Sequence, residues 1–454
     1  MKNSRLRTSL GRAARMVLFS IVLMALLAPV VEAGATRIWV KRYDGPTSGV
    51  DSGAAVAFDS AGNVYVAGRS TSATDEDYVV IKYGPGGAKK WVRRYDGAGL
   101  WDGARGIAVD DSGNVYVTGR SFGSGSHGDY ATLKYNSSGV LQWAKRYSSG
   151  GYYDDGAMDI ALDPSGNVIV TGFSTGAGSA FDYLTIKYSP TGVRKWVKRY
   201  DGPGNGGDIA QAVDVDSAGN VYVTGASKGD GTSYDYCTIK YSPAGAQVWV
   251  KRWNSYFDLS DGATALVVDP FDYIYVTGYT YRSNTNSDYM TLQYDSDGKR
   301  IWQRRYDGPA KGPDAPWAIA WDYGRVYVTG SSTGRGSDLD WATVCYKRWG
   351  TKQWVKRLNG SANGMDVPNA IAAGKGQVYV TGFATGAGSD GDYMTAKYGA
   401  FGFFKWTNRY NGPGNGFDQS NAVEICPASG NVYITGGSRG GVTGVDIATI
   451  KYAP

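Results

Sequence analysis

Histidine is almost absent from this 454-residue chain, which contains only His127. That scarcity excludes His-based catalytic triads, histidine proton shuttles and zinc sites needing several imidazoles. Cysteine is scarce too: Cys237, Cys345 and Cys426 are far apart and odd in number, which excludes a disulfide-rich scaffold. What is abundant is glycine and aromatic residue, with 66 Gly, 35 Tyr and 14 Trp. That balance points to turns and β-structure rather than helices.

One long apolar run exists, and it lies at the start. Lys2, Arg5, Arg7, Arg12 and Arg15 precede an apolar stretch from Met16 to Ala28 broken only by Ser20, followed by Pro29 and small residues around Ala33 and Ala35. This order reads as a signal peptide over residues 1–33, cut after residue 33 or 35. The alternative is a retained anchor, but a run counted to Val31 makes roughly 24 Å of helix against a hydrocarbon core of about 30 Å. No stable membrane span is expected after cleavage, and the protein is expected to be secreted, periplasmic or on the cell surface. The leader holds five bases and one acid, so 42 bases and 40 acids remain of the total of 47 and 41. The net charge of +6 therefore falls to +2, and no nucleic-acid partner is expected.

The rest of the chain is one unit repeated eight times. Tryptophan recurs as Trp39, Trp91, Trp143, Trp196, Trp249, Trp302, Trp354 and Trp406, at spacings of 52 or 53. A glycine closing a V-Y-V-T-G-like run recurs as Gly68, Gly119, Gly172, Gly225, Gly278, Gly330, Gly382 and Gly436. Each unit holds four short alternating runs separated by turn residues. The first is A-x-A-x-D, whose small residues let backbones crowd together. The second follows a D-x-x-G-N turn, in which Gly and Asn are expected at positive φ. The third is D-Y-x-T-x-K-Y and the fourth W-V-K-R-Y, reached by a turn of constant spacing such as Tyr188, Gly192, Trp196. Four strands every 52 residues is the pattern of a propeller blade.

The termini complete the count. The chain opens on a fourth-type strand, Ile38–Tyr43, and ends on a third-type strand, Asp446–Tyr452. An all-β, eight-bladed β-propeller of four-stranded antiparallel blades is therefore expected as a single domain over residues 36–454. Its ring closes when the N-terminal outer strand joins the C-terminal blade, leaving neither as a bare edge. A monomer is expected.

The unit resembles the SBBP family of bacterial β-propeller repeats, whose D-x-x-G-N-x-Y-x-T-G core stands here as Asp110 to Gly119. The count of eight blades is this chain's own. The G-x-x-x-W turn is similar to the tryptophan-docking turn of quinoprotein dehydrogenases. Kelch repeats share the strand order, but a Gly-Gly doublet closes the V-Y-V-T-G-like run here in only one unit, at Gly436-Gly437. The SBBP resemblance implies export and a propeller fold. The quinoprotein resemblance implies adjacent cysteines at a cofactor cage; the chain has none, so no cofactor is expected.

Repeated aromatics read as blade-to-blade packing, since each buries roughly 150–250 Å². Two aspartate series recur: Asp51, Asp102, Asp155, Asp208, Asp261, Asp314, Asp366 and Asp418 before the first strand, and Asp77, Asp129, Asp182, Asp235, Asp288, Asp340, Asp392 and Asp446 opening the third. They could ring the channel mouth and hold a cation. Eight arginines, Arg42, Arg94, Arg146, Arg199, Arg252, Arg305, Arg357 and Arg409, match them in number. One ion pair per blade, with the other aspartate capping turn amides, is the preferred reading, so no metal site is assigned.

Chemistry needs unlike groups at one point, so a site should break the eightfold pattern. Between the fourth and first strands three units carry large rings: Trp101, Tyr152 with Tyr153, and Tyr256 with Phe257. These are the candidate ligand-binding residues, stacking platforms on the loop rim for a protein or carbohydrate; they could equally cover a neighbouring blade. His127 sits in a Gly/Ser loop and reads as solvated. No catalytic residue is assigned. The expected function is an exported, non-catalytic binding or scaffold module. The alternative is a carboxylate-dependent glycosidase or polysaccharide lyase drawing on the irregular loop acids Glu76, Asp154, Asp230 and Asp258, which must then converge.

Overall fold

The D-x-x-G-N turn shows how the sequence makes a blade. In the blade spanning Asp155 to Tyr200, Asp163 accepts hydrogen bonds from the Asn167 backbone N–H and side-chain amide, and Gly166 alone takes the left-handed conformation, at φ 72°. The expectation that Asn shares the positive φ is corrected here: Asn167 works through its side chain. The turn folds strand Asp155–Leu162 onto Val168–Thr175, and Phe181–Tyr188 and Arg194–Tyr200 follow as antiparallel neighbours.

The computed structural model describes residues 34–73, 75–123, 127–150, 153–176, 180–255, 258–283 and 286–454. Those residues form eight four-stranded antiparallel sheets and contain no helix. Blades I to VII take their strands in chain order, beginning at Asp51, and blade VIII combines the last three strands with the first, Arg37–Tyr43. The region Ala35–Pro454 is one compact unit. Inner strands of successive blades touch one another, and the inner strand of blade VIII touches that of blade I, so the ring is closed. The leader read at residues 1–33 lies outside the described residues. Among the described residues no helix is long and apolar enough to cross a membrane.

The repeated aromatics join the blades. Tyr130 donates to the Leu184 carbonyl of the next blade at 2.9 Å, and Tyr183 to Cys237 at 3.2 Å. Trp143 donates to the Pro190 carbonyl of the next blade, and Gly192 of that blade's turn, at φ 81°, lies so close to the Trp143 ring that a Cβ would press into it. The constant Gly–Trp spacing thus serves a contact between blades rather than within one turn. The three cysteines are free and buried.

Candidate functional site

Both aspartate series belong to the scaffold. The aspartates opening the third strands pair with the eight arginines: Arg42 with Asp446, Arg94 with Asp77, Arg146 with Asp129, Arg199 with Asp182, Arg252 with Asp235, Arg305 with Asp288, Arg357 with Asp340 and Arg409 with Asp392. The aspartates opening the inner strands accept the amide at the head of each inter-blade loop, as in Gly45 N–H to Asp51, Gly202 to Asp208 and Gly412 to Asp418. Among the described residues four aspartate triads crowd within 4.8 Å, one of them Asp77, Asp96 and Asp102. There Asp77 already holds Arg94 and Asp102 the Gly97 amide. Burial first, and Asp96 as a like charge, push Asp102 up to about 6.

The eightfold pattern breaks most widely at one position on the inner strands. In every blade the register of the inner strand slips once, after its third residue. The fourth residue is left as a bulge. Through blades I to IV that residue is Ala54, Arg105, Met158 and Gln211. Through blades V to VIII it is Thr264, Trp317, Asn369 and Asn421. Six of the eight line one cavity of about 690 Å³ at the channel mouth, within the range of small-ligand sites. Eight equivalent positions therefore present a guanidinium, an indole, amides, a hydroxyl and a thioether to a shared lumen.

The polar members differ in how they are held. The Asn369 amide donates to the Ser420 carbonyl at 2.8 Å, Asn421 to Gly53 at 2.8 Å, and Thr264 to Pro316 at 3.0 Å. Each thereby ties its blade to the next. Arg105 makes no hydrogen bond or ion pair among the described residues. Burial, then the nearby Arg69 and Arg120, hold its pKa below the usual arginine value. Those two neighbours are themselves paired, with Glu76 and Asp154. Trp317 is 46% exposed.

Further along the channel the charge reverses. Asp159, Asp214 and Glu424 stand on inner strands of blades III, IV and VIII. Burial pushes Asp159 and Asp214 up to about 6, against the amides of Val213 and Val268 that they accept. Glu424 is open to water in the lumen yet enclosed by protein, and desolvation lifts it to about 7. A carboxyl with a raised folded pKa binds more protons folded than unfolded between the two values, so its contribution to stability falls as pH rises through that window. Glu424→Gln is expected to raise Tm at pH 8 and to leave it unchanged at pH 4, where both states are protonated. Thermal unfolding at the two pH values reads this; an equal change at both would contradict it.

The rim aromatics divide. Trp101 lies at the mouth, lining both the 690 Å³ cavity and a neighbouring one of about 560 Å³. Its indole N–H donates to Glu76 at 2.5 Å and its ring meets Phe122 edge-on at 5.9 Å. Tyr153 is 53% exposed and lines neither cavity. Tyr152, Tyr256 and Phe257 lie outside the described residues. Of the irregular acids, Glu76 is engaged by Arg69 and Trp101, Asp154 by Arg120, and Asp258 by Asn254. His127 is exposed, 3.7 Å from Asp154.

A sequence profile of the SBBP beta-propeller repeat matches residues 38–74 and 102–124. Those two segments match the SBBP repeat. No curated protein matches it in sequence. Among solved structures, Sqt1 of Chaetomium thermophilum is similar with a TM-score of 0.58 at 11% identity, over 91% of this chain and 98% of Sqt1. Sqt1 bound to the N-terminus of the ribosomal protein L10 gives 0.57 at 10% identity, with the same coverage. A europium-containing methanol dehydrogenase gives 0.51 at 10% identity, over 92% of this chain and 93% of that one. At these identities the likeness is one of fold.

In this propeller the lumen residues lie on strands, away from the irregular loops. They occupy the inner-strand position at which the eight copies differ most in chemistry, and that difference is itself the signal. A second aromatic group also escapes a rim-centred reading: Arg348 stacks on Phe271 at 4.1 Å and on Tyr273 at 4.4 Å, with Trp349 exposed beside it.

Proposed function

We propose that the protein is an exported, non-catalytic binding module whose ligand enters the channel mouth on the face of the inter-blade loops. The observation that carries this reading is the set of unlike side chains at the eight equivalent bulge positions. A purely structural ring has no use for an exposed Trp317 and an unpaired Arg105 in its lumen, and hydrophobic anchors beside fixed polar groups characterise ligand sites. Trp101 extends the site to the rim, while Tyr153 stands apart from it. Export rests on the basic and apolar order of residues 1–33.

A screen of the protein from residue 36 against polysaccharides and secreted proteins tests the reading. Binding is expected for the parent, to weaken at least about tenfold in Trp317→Ala and less in Trp101→Ala, and to persist in Tyr153→Ala. A ligand bound equally by all four proteins would place the site elsewhere. Product release from a polysaccharide would replace the binding role with the carboxylate enzyme.

A further inference from the structure

Arg105 and Trp317 belong to blades II and VI, four blades apart in a ring of eight, so they face each other across the channel. On one wall stands a guanidinium with no partner among the described residues, and on the other a half-exposed indole. Between them, in blades VII and VIII, Asn369 and Asn421 spend their N–H groups on the backbone of the next blade. Their side-chain oxygens accept no hydrogen bond among the described residues, which leaves two acceptors at the lumen. No carboxylate lines this cavity. Of the lumen acids, Asp159 follows Met158 directly but is held by the Val213 amide, and Asp214 and Glu424 lie three residues past the bulge on their strands, about 10 Å deeper.

Each group selects part of a ligand. An unpaired arginine offers two parallel N–H donors in the geometry of a carboxylate. The amide oxygens accept hydroxyl protons. The indole supplies a flat apolar face with no charge requirement. We propose that the channel mouth binds an acidic carbohydrate, with a hexuronate carboxylate on Arg105, ring hydroxyls on Asn369 and Asn421, and a sugar face on Trp317. This rests on the binding role proposed above and names its ligand class. The acids deeper in the channel repel the same carboxylate, which holds it at the mouth.

Calorimetric titration of the protein with oligogalacturonate and with neutral galactan oligomers of matched length tests this. Oligogalacturonate is expected to bind at least tenfold more tightly than the neutral oligomer, and to weaken with added salt. Arg105→Ala should abolish that preference, Arg105→Lys should restore part of it, and Trp317→Ala should weaken both ligands. Both side chains are unbonded in the lumen, so the variants are expected to keep the parent Tm. Equal binding of the two oligomers, unchanged in Arg105→Ala but lost in Trp317→Ala, overturns the acidic ligand and leaves the binding role standing. Absence of binding to either oligomer, with capture of carboxylate-terminated peptides through Arg105, overturns the carbohydrate. Absence of all binding overturns both.

Discussion

A chain lacking the N-terminal strand Arg37–Tyr43 is expected to aggregate. That strand pairs with Val445–Tyr452 from Trp39 opposite Lys451 to Tyr43 opposite Ile447. Without it the last strand of the propeller becomes a bare edge of unpaired N–H and C=O groups, an invitation to pair with another chain. The strand also brings Arg42, which donates to Asp446 at 3.0 and 2.7 Å, to Ser438 and to the Tyr410 hydroxyl of blade VII. Asp446 is buried, and a buried carboxylate stripped of its partner costs about 3–5 kcal/mol. Trp39 reaches the other way, packing at 6.0 Å from Tyr83 of blade I and 5.6 Å from Tyr433 of blade VIII. One short segment thus ties three successive blades. Size-exclusion chromatography should show the truncated protein in aggregates, and Arg42→Ala should elute as the parent does with a lowered Tm. A monomeric truncated protein with the parent Tm would mean that the inner strands alone hold the ring.

The contrast between what repeats and what does not explains how much of this was legible. The arginine–aspartate pairs, the amide-capping aspartates and the four-strand grammar could be read from sequence because each is stated eight times, and a mismatch at one copy is corrected by seven others. The Gly–Trp spacing was equally plain, yet a linear sequence hides that Gly192 serves Trp143 of the neighbouring blade. The site was harder for the opposite reason. Ala54, Arg105 and Trp317 share a position but no chemistry, and the bulge before the fifth residue interrupts the alternation that assigns faces to a strand. The irregular loops stand out more plainly in the sequence. Trp101 lines the same cavity because its loop runs straight into the inner strand that carries Arg105.

Gly225→Ala is expected to cost the fold at least about 3 kcal/mol, since small-to-large changes in close-packed sites already cost about 1–3 when side chains can yield. Here nothing can yield cheaply. A Cβ at Gly225 would overlap the carbonyl oxygen of Ile209 and press on Cα of Ala210, both backbone atoms of the inner strand. The same overlap with an inner-strand carbonyl exists at Gly68, Gly119, Gly172, Gly278, Gly330, Gly382 and Gly436. These are the glycines that close the V-Y-V-T-G runs, and each is paired with the residue just before the bulge, as Gly225 is with Ala210. The missing side chain lets the two strands approach where the register slips, and the slip exposes the fourth residue to the lumen. Stability and site thus share one cause. Urea unfolding of Gly225→Ala should show the loss, while Gly86→Ala, with open space around it and an ordinary φ, should change stability by no more than about 1 kcal/mol. The equivalent change in blade II, Gly119→Ala, should in addition weaken the oligogalacturonate binding proposed for Arg105. A Gly225→Ala protein as stable as the parent would mean that the bulge forms without the glycine.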